Sequence, residues 1–347
     1  WSVLLFTFTL NHALGQLDVF GYHLFNLTLH ICVGIVLYFL LTELLVVERP
    51  FIKPKLRKLP LVASLIHVLN PVTIESVTYI SSRSSVLATL FYLLSFYFLV
   101  RLDKQKYRHE KTNYIGYSLM VFLLFLLGLG AKEIVVTLPI MAVFYLWMRS
   151  PEKQIQKFLP ELIVILLPLI GYLLYRYIEM GSLLVIKTDP SSHLVDRGLY
   201  FLTQIKVIIS YYLLKLFFPI NLNFEPDIQL VSNLFDWEWV VALVIMVGLA
   251  LAVFYQKSVL FKGAFLWAFI TILPTSSLIP LKQFATEHRT YLPGIGVSVG
   301  MSILFLRAIS LNRLIRPLLI VLIVTYGFLA TKRSLDYRTE VILWEDT

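Results

Sequence analysis

The chain has 347 residues, of which 58% are hydrophobic and 15% charged, with a net charge of +9. Soluble domains run nearer 45–50% apolar and about 25% charged, so a soluble globular enzyme is excluded. The single cysteine, Cys32, excludes an internal disulfide.

The apolar residues gather into runs of about 17–25, the length that crosses a bilayer core. In chain order the runs predict ten crossings, at 21–45, 60–80, 82–100, 114–130, 134–148, 161–178, 237–256, 263–280, 291–308 and 316–331. The expected architecture is therefore an all-α, polytopic transmembrane helical protein. Residues 1–20, with Gly15 and Gly21 as breaks, read as the end of an external segment. Residues 21–331 form the membrane domain, and 332–347 form an extracytoplasmic linker. The chain begins with Trp1 and not Met, so a natural N-terminus is expected upstream.

The connecting segments differ in charge. Loops such as ERPFIKPKLRK (48–58), RLDKQKYRHEK (101–111) and RAISLNRLIR (307–316) belong to a side with 18 basic and six acidic residues. The opposite side counts 12 and 15. The positive-inside rule puts the basic loops in the cytoplasm and both chain ends outside it. One apolar segment, 199–219, would invert every later loop if it crossed. It reads instead as an interfacial or re-entrant helix within a large external loop, 179–236, with Thr203, Lys206 and Ser210 as a polar stripe.

Three ionisable groups of residues then emerge on the same external face: Glu75 with Arg83, Lys132 with Glu133, and Glu287, His288, Arg289 and Tyr291. Charge beside a spanning segment costs roughly 2.5–3.5 kcal/mol per group on insertion scales. Each group alone reads as a snorkelling anchor or a neutralised pair. Their convergence on one face favours a hydrated cavity. His23, Asn26 and His30 share one face of the first crossing, either as a buried hydrogen-bonded stripe or as cavity lining. Gly296 and Gly300 form a GxxxG spacing, which reads as close helix packing. Basic groups with a tyrosine hydroxyl at a membrane face suit a lipid phosphate.

The segments YHLFNLTLH (22–30), NPVTIESVTYISSRSSVLATLFYLLSF (70–96), GLGAKEIVVTLP (128–139), FPINLNFEPD (218–227), ATEHRTYLPGIG (285–296) and RTEVILWEDT (338–347) occur in that order. Together they resemble the membrane part of the protein O-mannosyltransferase-like proteins that carry tetratricopeptide repeats. Those belong to the GT-C class of membrane glycosyltransferases. The resemblance implies inverting transfer of a sugar from a polyprenyl-phosphate donor to an acceptor hydroxyl, on a protein or a glycan, outside the cytoplasm. The membrane concerned would be a bacterial inner membrane or the endoplasmic reticulum. It further implies a missing first helix and a repeat domain after the WEDT ending.

Carried over by position, the resemblance assigns Arg289, Tyr291, Lys132 and Arg83 to the donor phosphate. Glu75 and Glu133 become supporting groups, with Glu133 holding Lys132 or orienting a hydroxyl. Glu287, His288, His23, Asn26, His30, Asn70 and Lys206 are expected to line the cavity. Asn70 stands where the family usually has His. The family's catalytic base is expected upstream of Trp1, which would leave this stretch able to bind donor but not to turn over. No cofactor is expected, and a divalent metal stays open. The lipid bilayer is a partner and nucleic acid is not. Three rival classes remain: a lipid-linked glycan ligase or oligosaccharyltransferase, a lipid-phosphate transporter or flippase, and a non-catalytic scaffold.

Overall fold

The computed structural model describes residues 2–47, 54–108, 113–149, 158–180, 196–276, 281 and 283–345. Among these residues the chain is all helical, with no strand. Eight helices are long and apolar enough to cross a membrane, or nine if one bent pair counts as a span. The expected ten is close to that number, and the differences have local causes.

The N-terminal stretch forms α1 (Ser2–Gly15), which leans on a later helix. Val3 lies so close to Gly130 that a Cβ there would come within 2.7 Å. Fourteen residues make a helix of about 21 Å, short of a bilayer core of about 30 Å. Gly15 does end a helix, and Gln16 takes up the turn with φ 51°. Gly21 breaks nothing; it lies inside α2 (Val19–Val47).

The run expected as one crossing over 60–80 is broken. Its halves are α3 (Leu59–Leu69) and α4 (Ile74–Thr78), and the spans that contain them are bent by 56°. Pro71 cannot supply the backbone N–H that would continue α3. Asn70 then caps the new start, its Oδ1 accepting from Val72 N at 3.0 Å.

The chain continues through α5 (Arg83–Arg108), α6 (Tyr114–Ala131), α7 (Leu138–Arg149) and α8 (Leu159–Met180). The expected crossing at 134–148 is a 3₁₀ turn over Glu133–Thr137 followed by the twelve residues of α7. Pro139 fits there because it falls at the start of α7, where its missing N–H is not needed. The 199–219 segment is helical as far as Phe217 and belongs to one of the eight long apolar helices. It comprises α9 (Arg197–Val207), a π-helical turn over Ile208–Leu213 and α10 (Leu214–Phe217). Its stripe holds the chain that follows: Thr203 Oγ1 accepts from Val231 N at 3.0 Å, and Lys206 pairs with Glu238.

The last helices are α11 (Trp237–Phe254), α12 (Val259–Ile272), α13 (Tyr291–Leu311), α14 (Arg316–Asp336) and α15 (Glu340–Glu345). α12 stops eight residues short of the expected 280, and 277–280 lie outside the described residues. α14 runs past the expected 331 and takes Arg333 and Asp336 with it. The GxxxG spacing works through one glycine. A Cβ on Gly296 would come within 2.3 Å of Ala264 O, whereas one on Gly300 would meet nothing within 4 Å.

Candidate functional site

The break at Asn70 sets the site. A continuous helix would carry Glu75 onward along the axis of α3. The bend turns α4 toward the 3₁₀ turn Glu287–Thr290, which opens α13. Glu75 is 1% exposed there and its carboxylate holds His288 twice. Oε2 accepts from the His288 backbone N–H at 2.9 Å, and Oε1 lies 2.6 Å from the ring Nδ1. With a carboxylate oxygen accepting, the ring Nδ1 is the donor of this bond. Nε2 then faces the Thr286 hydroxyl at 3.4 Å.

Lys132 joins this centre from the end of α6. Its Nζ donates to Ser85 Oγ at 2.7 Å. Its pKa is lowered from 10.5 to about 8, by burial first and then by Arg289, while Glu75 and Glu133 pull the other way. Two of the three sequence-distant groups are therefore bonded to one another, and the third lies within electrostatic reach. Arg289 donates to two backbone carbonyls, Gln283 O at 2.8 Å and Phe284 O at 3.4 Å. It fixes the segment before the turn as well as contributing charge.

Glu287 is fully buried, with Arg333 Nη2 at 3.6 Å from its Oε1. Arg333 also donates to Asp336 at 3.2 Å. The partners of this layer come from α14 and could not be read from a local motif. Next to it, Phe224 meets Tyr79, Tyr337 and Trp344 edge-on, with centroids 5.1–6.2 Å apart. The C-terminal helix α15 is thereby held beside the loop at 222–227.

Several expected members lie elsewhere. Ser85 and Arg83 are two positions apart on α5, hence about 200° apart around its axis. While Ser85 meets Lys132, Arg83 enters the seam of α1 and α2. There its Nε donates to Asn26 Oδ1 at 2.6 Å and its Nη1 to Asn11 Oδ1 at 2.6 Å. Further bonds run to Thr7 and to Tyr22 O, and the guanidinium sits over the rings of Phe8 and Phe25.

Asn26 is thus a buried strut, its Nδ2 donating to Val77 O at 3.0 Å. His30 is another, with Nε2 donating to Val68 O at 3.0 Å and Nδ1 accepting from the Tyr291 hydroxyl at 2.5 Å. Tyr291 is consequently a core residue, 1% exposed, and does not front the cavity. His23 on the same helix is half-buried. Asn70 Nδ2 donates to Leu216 O at 3.0 Å, and Lys206 belongs to its pair with Glu238. Glu133 does not hold Lys132; its Oε1 accepts from Arg176 Nη1 at 2.6 Å. Arg176 is a partner that the sequence reading missed. Among the described residues no three His, Cys, Asp or Glu side chains gather as a metal site.

A groove of about 400 Å³ runs down beside the cluster, between the π-turn segment, α11, α12 and α13. Its walls are apolar, including Leu216, Met246, Phe265 and Val297, and at one end it reaches Tyr212 and Thr290. Thr290 directly follows Arg289, and the Tyr212 hydroxyl accepts from Thr286 N at 3.1 Å. Among the described residues no charged side chain lines this apolar slot, but through Thr290 and Tyr212 it adjoins the turn that carries Arg289. That arrangement accommodates an amphiphile with an anionic head.

The fold and the site together define a polytopic helical membrane protein with a buried ionisable centre. The chain is similar to the protein O-mannosyl-transferase F38B6.6 of Caenorhabditis elegans, at 25% identity over 345 residues, covering 98% of this chain and 47% of that protein. It thus spans about half the length of the curated relative it matches. The resemblance expected from the motifs is met by this relative. No family model matches the chain, and no solved structure matches it.

Proposed function

We propose that this chain is the membrane part of a glycosyltransferase that moves a sugar from a polyprenyl-phosphate donor to a protein hydroxyl on the extracytoplasmic face. One observation carries the reading: Glu75, Lys132 and the Glu287–Thr290 turn converge, and Thr290 of that turn also lines the apolar groove. The similarity to a protein O-mannosyl-transferase along 98% of the chain supports it.

In this reading the polyprenyl tail lies in the groove and the phosphate meets Lys132 and Arg289. As the bond between the anomeric carbon and the phosphate oxygen breaks, negative charge grows on the leaving phosphate. A fixed ammonium and guanidinium in a dry site stabilise that charge more than they stabilise the bound donor, which is the condition for acceleration. The acceptor oxygen attacks the opposite face of the sugar carbon and its proton passes to a base. Glu75 orients His288 at the edge of this space, so the imidazole Nε2 is presented with a fixed tautomer. Tyr291 and His30 support the turn from behind through their hydrogen bond.

Native mass spectrometry of the detergent-purified chain tests the reading, with polyprenyl-phosphate-hexose, polyprenyl phosphate and polyprenol as probes. Lys132→Ala and Arg289→Ala run in parallel. Binding that needs the phosphate and falls at least tenfold in Lys132→Ala is expected, since a charge-assisted bond contributes about 1.5–3 kcal/mol. Indifference of binding to the phosphate, or to both substitutions, would overturn it.

A further inference from the structure

A larger cavity lies toward the end of the bundle where α7 and α13 finish and α12 begins. It occupies about 960 Å³ between α2, α5, α7, α12 and α13, at the upper end of the roughly 300–1,000 Å³ of ligand pockets. Its walls are apolar, among them Leu37, Phe96, Phe144, Trp267 and Val299. Its mouth carries Arg149, Lys257 and Arg307, and among the described residues no Asp or Glu lines it.

The three cations are not equivalent. Arg149 Nε donates to the buried Asp103 at 3.1 Å, which offsets its charge. Lys257 and Arg307 have no carboxylate partner among the described residues. Beside them α12 begins, with Ser258 Oγ accepting from Phe261 N at 3.4 Å. The remaining N–H groups of that first turn add partial positive charge to the same mouth. An apolar chamber among membrane helices thus opens through a rim on which every charged side chain among the described residues is a cation.

We propose that this cavity binds an anionic phospholipid, with its acyl chains against the walls and its phosphate between Lys257, Arg307 and the start of α12. A zwitterionic head would place a second cation against Lys257 and Arg307 with no carboxylate to receive it. A soluble anion would leave the apolar walls unfilled. Basic pockets between membrane helices are a recurring means of holding such headgroups. The proposal stands on this cavity alone and does not depend on the donor site.

The test uses the delipidated full chain in detergent, with phosphatidylglycerol, phosphatidylcholine, polyprenyl phosphate and inorganic phosphate as separate probes. Bound mass and thermal midpoint are read together. Phosphatidylglycerol is expected to bind roughly tenfold or more tighter than phosphatidylcholine. The double variant Lys257→Gln/Arg307→Gln removes that preference without touching the walls. Val299→Trp, which fills the chamber, lowers the occupancy of both phospholipids. Equal binding of the two phospholipids by the unaltered chain overturns the proposal, as does a preference that survives the double variant. Equal stabilisation by inorganic phosphate marks an ion site and overturns it too. So does polyprenyl phosphate displacing phosphatidylglycerol in a way that the double variant abolishes and Arg289→Ala does not.

Discussion

Arg83 and Lys132 invite comparison, because both are cations beside apolar spans and both belong to motifs that suggest phosphate binding. Their surroundings are opposite. Arg83 is fully buried and its donors are taken by neutral acceptors on α1 and α2, with aromatic rings over its faces. Lys132 has one hydroxyl partner, Ser85, and otherwise feels the charges of Arg289, Glu75 and Glu133 without bonding to them. The first environment completes a cation's bonding, and the second leaves capacity for a ligand. A charge at membrane depth therefore marks a binding site only when its hydrogen-bonding capacity is left over. Arg83 is a strut by this criterion, and Lys132 is a candidate ligand contact.

The comparison is most sharply tested at Arg83 itself. Arg83→Met should destabilise the protein by about 3–5 kcal/mol, because Asn11 and Asn26 lose their donor inside a buried seam. Thermal unfolding in detergent reads the loss. A variant that stays as stable as the original but no longer binds polyprenyl-phosphate-hexose would break the distinction. Lys132→Ala should show the reverse pattern, with stability little changed and donor affinity lower by about 2 kcal/mol in native mass spectrometry.

The pH dependence of donor binding sharpens the point. Lys132 sits below its ordinary range, at about 8, so it is cationic below that value and neutral above it. A phosphodiester donor keeps one negative charge throughout that range. Affinity should thus hold below pH 8 and fall by up to about tenfold per unit above it, an effect absent in Lys132→Ala. A flat profile to pH 10 would count against Lys132 as the contact. The smallest effect is expected at Lys206, whose pair with Glu238 is partly open to solvent. Lys206→Ala should cost less than about 1 kcal/mol of stability and leave donor binding alone.

Much of the fold was legible because bilayer length writes itself into runs of apolar residues. The bend at Asn70–Pro71 was also visible in principle, since Pro71 removes a helical donor. What stayed hidden were partners on other helices. The spacing put His23, Asn26 and His30 on one helical face and left open whether they are buried or line a cavity; nothing local said that Arg83 and Tyr291 would meet Asn26 and His30. Glu133 beside Lys132 looked like a pair, yet adjacent residues point apart, and Arg176 from α8 took the carboxylate. Thr7 and Asn11, one turn apart on α1, were the readable trace of the Arg83 cage. They carried no meaning until the helix containing them was seen to pack inward.

Gly296 and Ala264 line both the groove beside the charged cluster and the basic-rimmed cavity. A Cβ at 296 would come within 2.3 Å of Ala264 O, so the two chambers share a point at which α12 and α13 meet backbone to backbone. Close-packed backbone transmits displacement rather than absorbing it. Two tenants of this protein would thus lean on the same helix crossing, and neither could shift it unnoticed by the other.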